Sequence, residues 1–258
     1  MDFTAASKFG ISLAIEMGRK INADVYLLMH DISYNTLPYK ANKTYEKSLI
    51  ALKQEYIDEL MNSSSDTIRI EIVNYNLGFA DSLEKFLKND SVDFVLMGIN
   101  KEEYGDHEFL MKIFEKMNKF VKCPVITIIR SVKFNQIKDI GIEFPADHIL
   151  EPDNIRFLKQ FEKIFSAKFH LLCVVDPLKT SNSEVIRQLS KISEKSDLAM
   201  FSVNTVYNKN IVEGISFFSK KKKIDMAIIM NQKIQHINID EIINEITDKT
   251  NCSVFCQF

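Results

Sequence analysis

The stretch over residues 91–129 constrains the fold most, because it has the layout of a strand, a loop, a helix and a second strand. Residues 94–97 and 125–129 are short, nearly unbroken apolar runs, typical of parallel strands covered on both faces. Between them apolar side chains recur at helical spacing, and a parallel pair needs a crossover of this kind. The pattern predicts a β-α-β unit with Gly98 at the carboxyl end of its first strand, where open α/β sheets bind ligands.

The same alternation extends along the whole chain. In the first half it predicts helices over 4–21, 45–60, 83–87 and 110–121, and strands over 25–29, 68–73, 94–97 and 125–129. In the second half it predicts strands over 137–144, 169–175, 199–206, 224–230 and 254–258, and helices over 152–165, 185–192, 211–218 and 239–246. Strands that alternate with helices favour an α/β fold with a parallel sheet covered on both faces.

The two halves form an internal repeat. INADVYLLMHD matches FSAKFHLLCVV in position, SVDFVLMGIN matches KIDMAIIMNQ, and VKCPVITII matches TNCSVFCQF. The second copy has the shorter connections. A repeat of this length predicts two similar domains, residues 1–131 and 135–258, which meet near residues 131–135.

Composition and charge exclude several classes of protein. The net charge of -2 gives no electrostatic case for nucleic acid or an anionic membrane, and no apolar run approaches the roughly 20 residues needed to cross a bilayer. The start, MDFTAASKFG, lacks the layout of a secretion signal. The four cysteines lie in or beside apolar runs, typical of buried residues in a reducing compartment. We therefore expect a cytoplasmic protein without a metal site, nucleic-acid partner or membrane partner.

No motif for catalysis is present in the sequence. It contains no nucleophile elbow, no P-loop lysine motif and no zinc-protease helix. His30 follows a predicted strand, and a structural hydrogen bond is favoured there over a ligand role. The lysines at 220–223 are interpreted as a solvated helix end that complements the helix dipole. The prediction is a protein that is not an enzyme and has no catalytic residues.

Four features together resemble the universal stress protein family. They are Asp2-Phe3-Thr4 opening a helix, LLMH ending the next strand, DFVLMG, and Cys123-Pro124-Val125 opening the last strand. The resemblance covers nearly the whole chain as two tandem copies and implies Rossmann-like parallel sheets of strand order 3-2-1-4-5. It also implies antiparallel pairing between the edge strands of the two domains. That pairing would involve Val125, Thr127 and Ile129 on one side and Val254 and Cys256 on the other. A homodimer is left open as a further assembly.

Nucleotide-binding members of that family carry spaced glycines after strand four, followed by Ser or Thr, so that the backbone can approach the phosphates. Gly98 matches the first glycine, whereas Lys101 replaces the second, Met111 the third and Lys112 the Ser or Thr. Asp2 matches the acidic residue that ends the family's first strand. In the second copy Glu143 stands near that acidic position, and Asn231 replaces the first glycine. These losses predict a degenerate nucleotide site in both copies.

The resemblance also predicts that the first domain lacks its own first strand, because the chain reaches the matching acidic residue at Asp2. That strand would lie in the centre of the sheet, so the position is either vacant or filled by another segment. The resulting hypothesis is a non-catalytic, stress-response-type protein that needs no cofactor and acts by binding a small molecule or a protein. The alternative is an ATP- or AMP-binding module in the first domain, with at most slow hydrolysis, that uses Asp2, Gly98 and Lys101.

Overall fold

The computed structural model describes residues 5–30, 55–56, 58–59, 69–75, 79–89, 92–98, 124–128, 134–144, 152–178, 183, 185–187, 190–191, 194, 201–230, 246, 249–250 and 252–256. Four α-helices and nine strands can be followed over these residues. The helices are α1 (Ala5–Ile21), α2 (Phe79–Asn89), α3 (Pro152–Phe165) and α4 (Ile211–Lys222). The strands are β1 (Val25–His30), β2 (Ile70–Tyr75), β3 (Val95–Gly98), β4 (Val125–Ile128), β5 (Asp139–Glu143), β6 (Lys168–Val175), β7 (Phe201–Tyr207), β8 (Met226–Ile229) and β9 (Ser253–Cys256).

The nine strands form two sheets. Seven of them lie in the order β3-β4-β9-β8-β5-β6-β7, and β1 and β2 form a parallel pair of their own. Every neighbouring pair is parallel except β4 and β9, which run antiparallel. The α/β class with parallel sheets that the alternating pattern predicts is therefore confirmed.

The second half of the chain contributes five strands of the large sheet. Counted within that half, β5 to β9 are arranged 3-2-1-4-5, with β5 in the centre between β6 and β8. Successive residues of β6 face opposite sides of the sheet, as the pleat requires. Phe169 and Leu171 join the core beneath α3, whereas Leu172 and Val174 pack with α4.

One hydrophobic core extends across the junction between the halves. Leu13 and Met17 of α1 and Ile126 and Ile128 of β4 belong to the same buried cluster as the aromatic residues of α3. The ring of Phe94, which precedes β3, lies with its centroid 5.7 Å from that of Phe161 in α3. Because α1 and α3 cover the same face of one continuous sheet, the two halves share their largest apolar core.

Local signals explain where α4 begins and ends. The side chain of Asn210 accepts a hydrogen bond from the backbone N–H of Glu213, which is a standard N-cap. Lys223 adopts the left-handed conformation at the other end, and its N–H donates to the carbonyl of Ser219. The lysines at 220–223 are exposed there, as expected of cations that complement the helix dipole.

Several predicted strands differ from the observed ones at their ends. β3 begins at Val95 rather than at residue 94. β2 begins at Ile70 rather than at 68 and continues to Tyr75. β8 is shorter than predicted, since the N–H of Ile224 closes the end of α4 on the carbonyl of Ser219 instead of joining the sheet.

Thr127 gives a direct test of the packing between β4 and β9. It is buried, and its hydroxyl oxygen has no hydrogen-bond partner within the described part of the chain. An unpaired buried hydroxyl destabilises a fold, and valine has nearly the same shape. Thr127→Val should therefore raise the free energy of unfolding by about 1 kcal/mol in urea denaturation.

Thr127→Ser is the matched control for this substitution. It keeps the hydroxyl and removes the methyl group, so it should lower the stability by about 1 kcal/mol, the value of one buried carbon. A loss of stability in Thr127→Val would mean that the hydroxyl is paired.

Candidate functional site

The carboxyl ends of the parallel strands are the place where this class of sheet binds ligands, at the point where the strand order reverses. In the second half that point lies between β5 and β8, because α3 and α4 cover opposite faces of the sheet. Three residues stand there: Glu143 ends β5, Phe144 follows it, and Met230 follows β8. All three are buried, and Glu143 is only 1% exposed.

Hydrogen bonds hold this end of the second half together beyond the strands themselves. The N–H of Met230 donates to the carbonyl of Glu143 at 3.1 Å, and the N–H of Phe144 donates to the carbonyl of Leu172 at 2.8 Å. The strands β5, β6 and β8 therefore stay hydrogen-bonded to one another as far as Phe144 and Met230. The side chain of Phe144 belongs to the core beneath α3.

The equivalent end in the first half is formed by Gly98, the last residue of β3, which lies opposite Ile128 of β4. Helix α1 packs directly onto it at Gly10. A Cβ atom at Gly10 would lie 3.4 Å from Cδ1 of Ile128 and 3.9 Å from the backbone nitrogen of Gly98. The backbone of α1 at Gly10 therefore lies close to the end of β3.

Of the residues predicted to bind nucleotide, the structure describes only Gly98. Asp2, Lys101, Met111 and Lys112 lie outside the described residues.

The residues predicted for domain pairing lie on β4 and β9. Val125 is opposite Cys256, and Thr127 is opposite Val254, in antiparallel register. Val125 and Thr127 are buried. Ile129 lies outside the described residues.

A polar network at the other end of the second half was not predicted from sequence. Nε2 of His170 lies 2.7 Å from a carboxylate oxygen of Asp139, and Nδ1 lies 2.8 Å from Oγ of Ser202. The amide of Asn204 donates to the same Oγ at 3.0 Å. A hydrolytic triad also consists of Ser, His and Asp, and here Ser202, His170 and Asp139 come from three adjacent strands.

The surroundings of His170 indicate a structural role for this network. Its side chain is 4% exposed and lies beneath α4, with its ring edge-on to Phe218 at 6.2 Å. Both ring nitrogens have partners, which is how a buried imidazole is normally accommodated. The network therefore ties β5, β6 and β7 together. Only the pairing of these strands brings the residues into contact, so no spacing in the sequence could have indicated it.

The cysteines and histidines form no metal centre in the described part of the chain, where no group of three or more His, Cys, Asp or Glu side chains has a suitable arrangement. Cys173 and Cys252 are buried, as predicted, and neither forms a disulfide. None of the described helices is long and apolar enough to cross a membrane.

The fold and the position of Gly98 define a Rossmann-like protein of the doubly wound class. Comparison with solved structures finds its likeness among the universal stress proteins. One from Archaeoglobus fulgidus superposes with a TM-score of 0.65 at 10% identity, over 99% of this chain and 93% of that one. A putative universal stress protein from Pseudomonas aeruginosa gives 0.52 at 10% identity, over 90% and 82%. The resemblance drawn from the motifs is confirmed at the level of the fold.

A further solved structure with a similar fold is a domain of a cotransporter. The cytoplasmic domain of a prokaryotic cation chloride cotransporter superposes with a TM-score of 0.58 at 10% identity, over 96% of this chain and 91% of that one. No protein-family model matches the sequence, and no curated protein matches it.

Proposed function

We propose that this chain is a non-catalytic, stress-response-type protein that acts by binding a small molecule or another protein, with a degenerate nucleotide site. The observation that carries the proposal is the packing at the reversal point of the second half. Phe144 and Met230 are buried there in the core beneath α3, and the N–H groups at the ends of β5 and β8 donate to neighbouring strands. Phosphate binding at such a site needs close approach to free backbone N–H groups. The N–H groups of Phe144 and Met230 are instead used within the sheet.

The sequence of the first half supports the same conclusion. Gly98 is in place at the end of β3, but Lys101 and Met111 replace the two glycines that would follow it in the family pattern. A lysine can hold phosphate by charge but cannot replace close backbone approach.

The alternative is an ATP- or AMP-binding module in the first half, with Asp2, Gly98 and Lys101 as its residues. One observation favours it: Gly98 stands at the carboxyl end of β3, as the family pattern requires of its first glycine. In this alternative the positive charge of Lys101 binds phosphate in place of the backbone N–H groups that the missing glycines would bring close.

Calorimetry and thermal unfolding of the full chain with Mg²⁺ and ATP or AMP separate the two proposals. We expect no heat of binding and no shift in the melting temperature. A nucleotide present at about 100 times its Kd would stabilise the fold by about 2.7 kcal/mol, which is easily measured.

Two variants make the result specific to the predicted site. In the alternative proposal the wild-type chain shows a shift in melting temperature, and both Gly98→Val and Lys101→Ala remove it. That pattern would overturn the proposal that the nucleotide site is degenerate. A shift that survives both variants would place the nucleotide away from Gly98 and would equally contradict the proposal.

A further inference from the structure

The amino ends of the strands in the second half carry a dense group of lysines. Strands β5, β6 and β8 begin at this end of the sheet, and helices α3 and α4 end there, because α3 leads into β6 and α4 leads into β8. We call this group the basic end. Its lysines are all exposed, and they are Lys138, Lys163, Lys168 and the four at 220–223.

Backbone hydrogen bonds show that the segments of the basic end lie side by side. The N–H of Lys168 donates to the carbonyl of Lys138 at 2.7 Å, and the N–H of Asp225 donates to the carbonyl of Asp139 at 2.9 Å. Lys223, at the end of α4, is two residues before Asp225. Neighbouring strands are about 4.8 Å apart and a packed layer lies about 10 Å from a sheet, so the basic end spans roughly 20 Å.

The carboxylates at this end are used within the fold, whereas the lysines are not. The side chain of Asp225 accepts two backbone N–H groups at the start of β5, at 2.8 and 2.9 Å. A carboxylate oxygen of Asp139 lies 2.7 Å from Nε2 of His170, and Glu162 in the last turn of α3 also takes part in an interaction. In the described part of the chain, no ion pair joins a carboxylate to a lysine of the basic end.

The repeat indicates that the fold itself does not require this charge. In the alignment of the two halves, Asp24 stands at the position of Lys168. Residues 88–91, which read Lys-Asn-Asp-Ser, stand at the positions of the four lysines at 220–223. In the first half a single lysine in the last turn of α2 therefore complements the helix dipole. The additional lysines of the second half need another explanation.

Lys223 is held in a backbone conformation that costs stability. Its φ of 55° and ψ of 49° lie in the left-handed region, which disfavours side chains and is usually occupied by glycine at the end of a helix. Residues in such disfavoured conformations cluster at functional sites. A lysine in this place therefore favours a role for its charge.

An exposed aromatic ring lies beside the lysines. Phe217 is 59% exposed and lies one turn before Lys220 and Lys221 on the same side of α4. The ammonium group of Lys221 lies over this ring, 5.9 Å from its centroid. The basic end thus offers one apolar contact next to its positive charges.

These features favour an acidic polypeptide over other anions. The described cations of the basic end are all lysines, which lack the planar pair of N–H groups with which arginine binds phosphate. Stable attachment to a bilayer needs a lipid chain or an apolar helix face beside the basic residues. The exposed residues of α4 are instead Glu213, Phe217 and the lysines. The carboxylates of Asp and Glu need only charge and a hydrogen-bond donor, and an ammonium group supplies both.

We propose that the basic end binds an extended acidic segment of a partner protein, with an apolar side chain of that segment against Phe217. A span of roughly 20 Å corresponds to about six extended residues. This inference rests on the part of the proposed function in which the chain binds another protein. The basic end lies opposite the carboxyl ends of the strands, so its test and the nucleotide test can fail separately.

Fluorescence anisotropy of the full chain tests the proposal with a labelled synthetic peptide, Glu-Asp-Glu-Phe-Glu-Asp-Glu, as the probe. We expect binding that weakens by about tenfold between about 50 and 200 mM salt, because salt screens exposed charges. A control peptide in which every Glu is Gln and every Asp is Asn should not bind.

A pair of substitutions with the same change in charge locates the binding surface. Lys222→Asp introduces the residue that the first half has at this position, and it should weaken peptide binding by about tenfold. Lys209→Asp is the matched control. Lys209 is also exposed, but it follows β7 at the opposite end of the sheet, so its substitution should leave binding unchanged.

Lys223→Gly separates binding from stability. Glycine relieves the left-handed conformation, so the melting temperature should rise by about 2–4 °C. Peptide binding should nevertheless weaken by about threefold, because one positive charge is lost. A lysine that only ends the helix would give no loss of binding.

Three results would overturn the proposal. The peptide fails to bind even at low salt, or Lys209→Asp weakens binding as much as Lys222→Asp, so that the peptide responds only to the net charge. In the third, a single-stranded oligonucleotide or vesicles of anionic lipid bind more tightly than the peptide and lose that binding in Lys222→Asp. The partner would then belong to another class.

Discussion

Phe161→Ala should lower the free energy of unfolding by about 3–5 kcal/mol, the usual cost of removing a fully buried aromatic ring. Phe161 is completely buried in α3. Its ring centroid lies 4.6 Å from that of Phe157, 5.0 Å from Phe165 and 5.7 Å from Phe94. Because Phe94 belongs to the first half and α3 to the second, the cavity would weaken both halves together. Denaturation followed by tyrosine fluorescence and circular dichroism measures the effect.

Phe161→Leu is the matched control, because it keeps most of the apolar volume and should cost less than about 1.5 kcal/mol. Both variants should still unfold in one transition with coincident probes, since a single core spans the junction. Two separate transitions, with only one of them shifted, would contradict a shared core and would indicate that the halves fold independently.

Gly214→Ala should lower the stability by about 1–3 kcal/mol, the cost of overpacking a tight core. A Cβ atom at position 214 would lie 2.5 Å from Cγ1 and 3.0 Å from Cγ2 of Val174. Val174 is short and β-branched, so it cannot rotate away easily. The gain of about 1 kcal/mol in helix propensity from alanine only partly offsets this overlap. Urea denaturation of the variant measures the net effect.

The control is a double-mutant cycle with Val174→Ala. Removing both methyl groups of Val174 makes room for the new Cβ atom, so the double variant should be more stable than the sum of the single effects by about 1 kcal/mol or more. Additive effects would mean that α4 moves away from β6 at little cost in free energy. The close packing at Gly214 would then contribute nothing measurable to the stability.

The sequence predicted the fold where the apolar pattern decides it. The buried run in β6 and the proline that opens α3 at Pro152 place their elements correctly, because burial on both faces and a fixed proline φ are local properties. The ends of strands were less predictable. Phe94 is apolar and precedes β3 directly, so the apolar run does not show by itself where the strand begins.

The candidate site was predictable in position but not in detail. Gly98 ends β3 as its place in the β-α-β pattern indicates. The burial of Phe144 and Met230 at the ends of β5 and β8 depends on backbone hydrogen bonds between strands that are far apart in sequence. The contact of His170 with Asp139 and Ser202 likewise needs the register of β5, β6 and β7.

The antiparallel contact of β4 with β9 has a consequence for how the two copies can change. When identical chains meet through such a contact, each substitution is imposed on both sides at once, and the surface must stay complementary to itself. Covalent tethering removes that symmetry requirement. The residue opposite Val125, which is Cys256, can then change independently of Val254, which lies opposite Thr127. The two halves are equally free to diverge elsewhere.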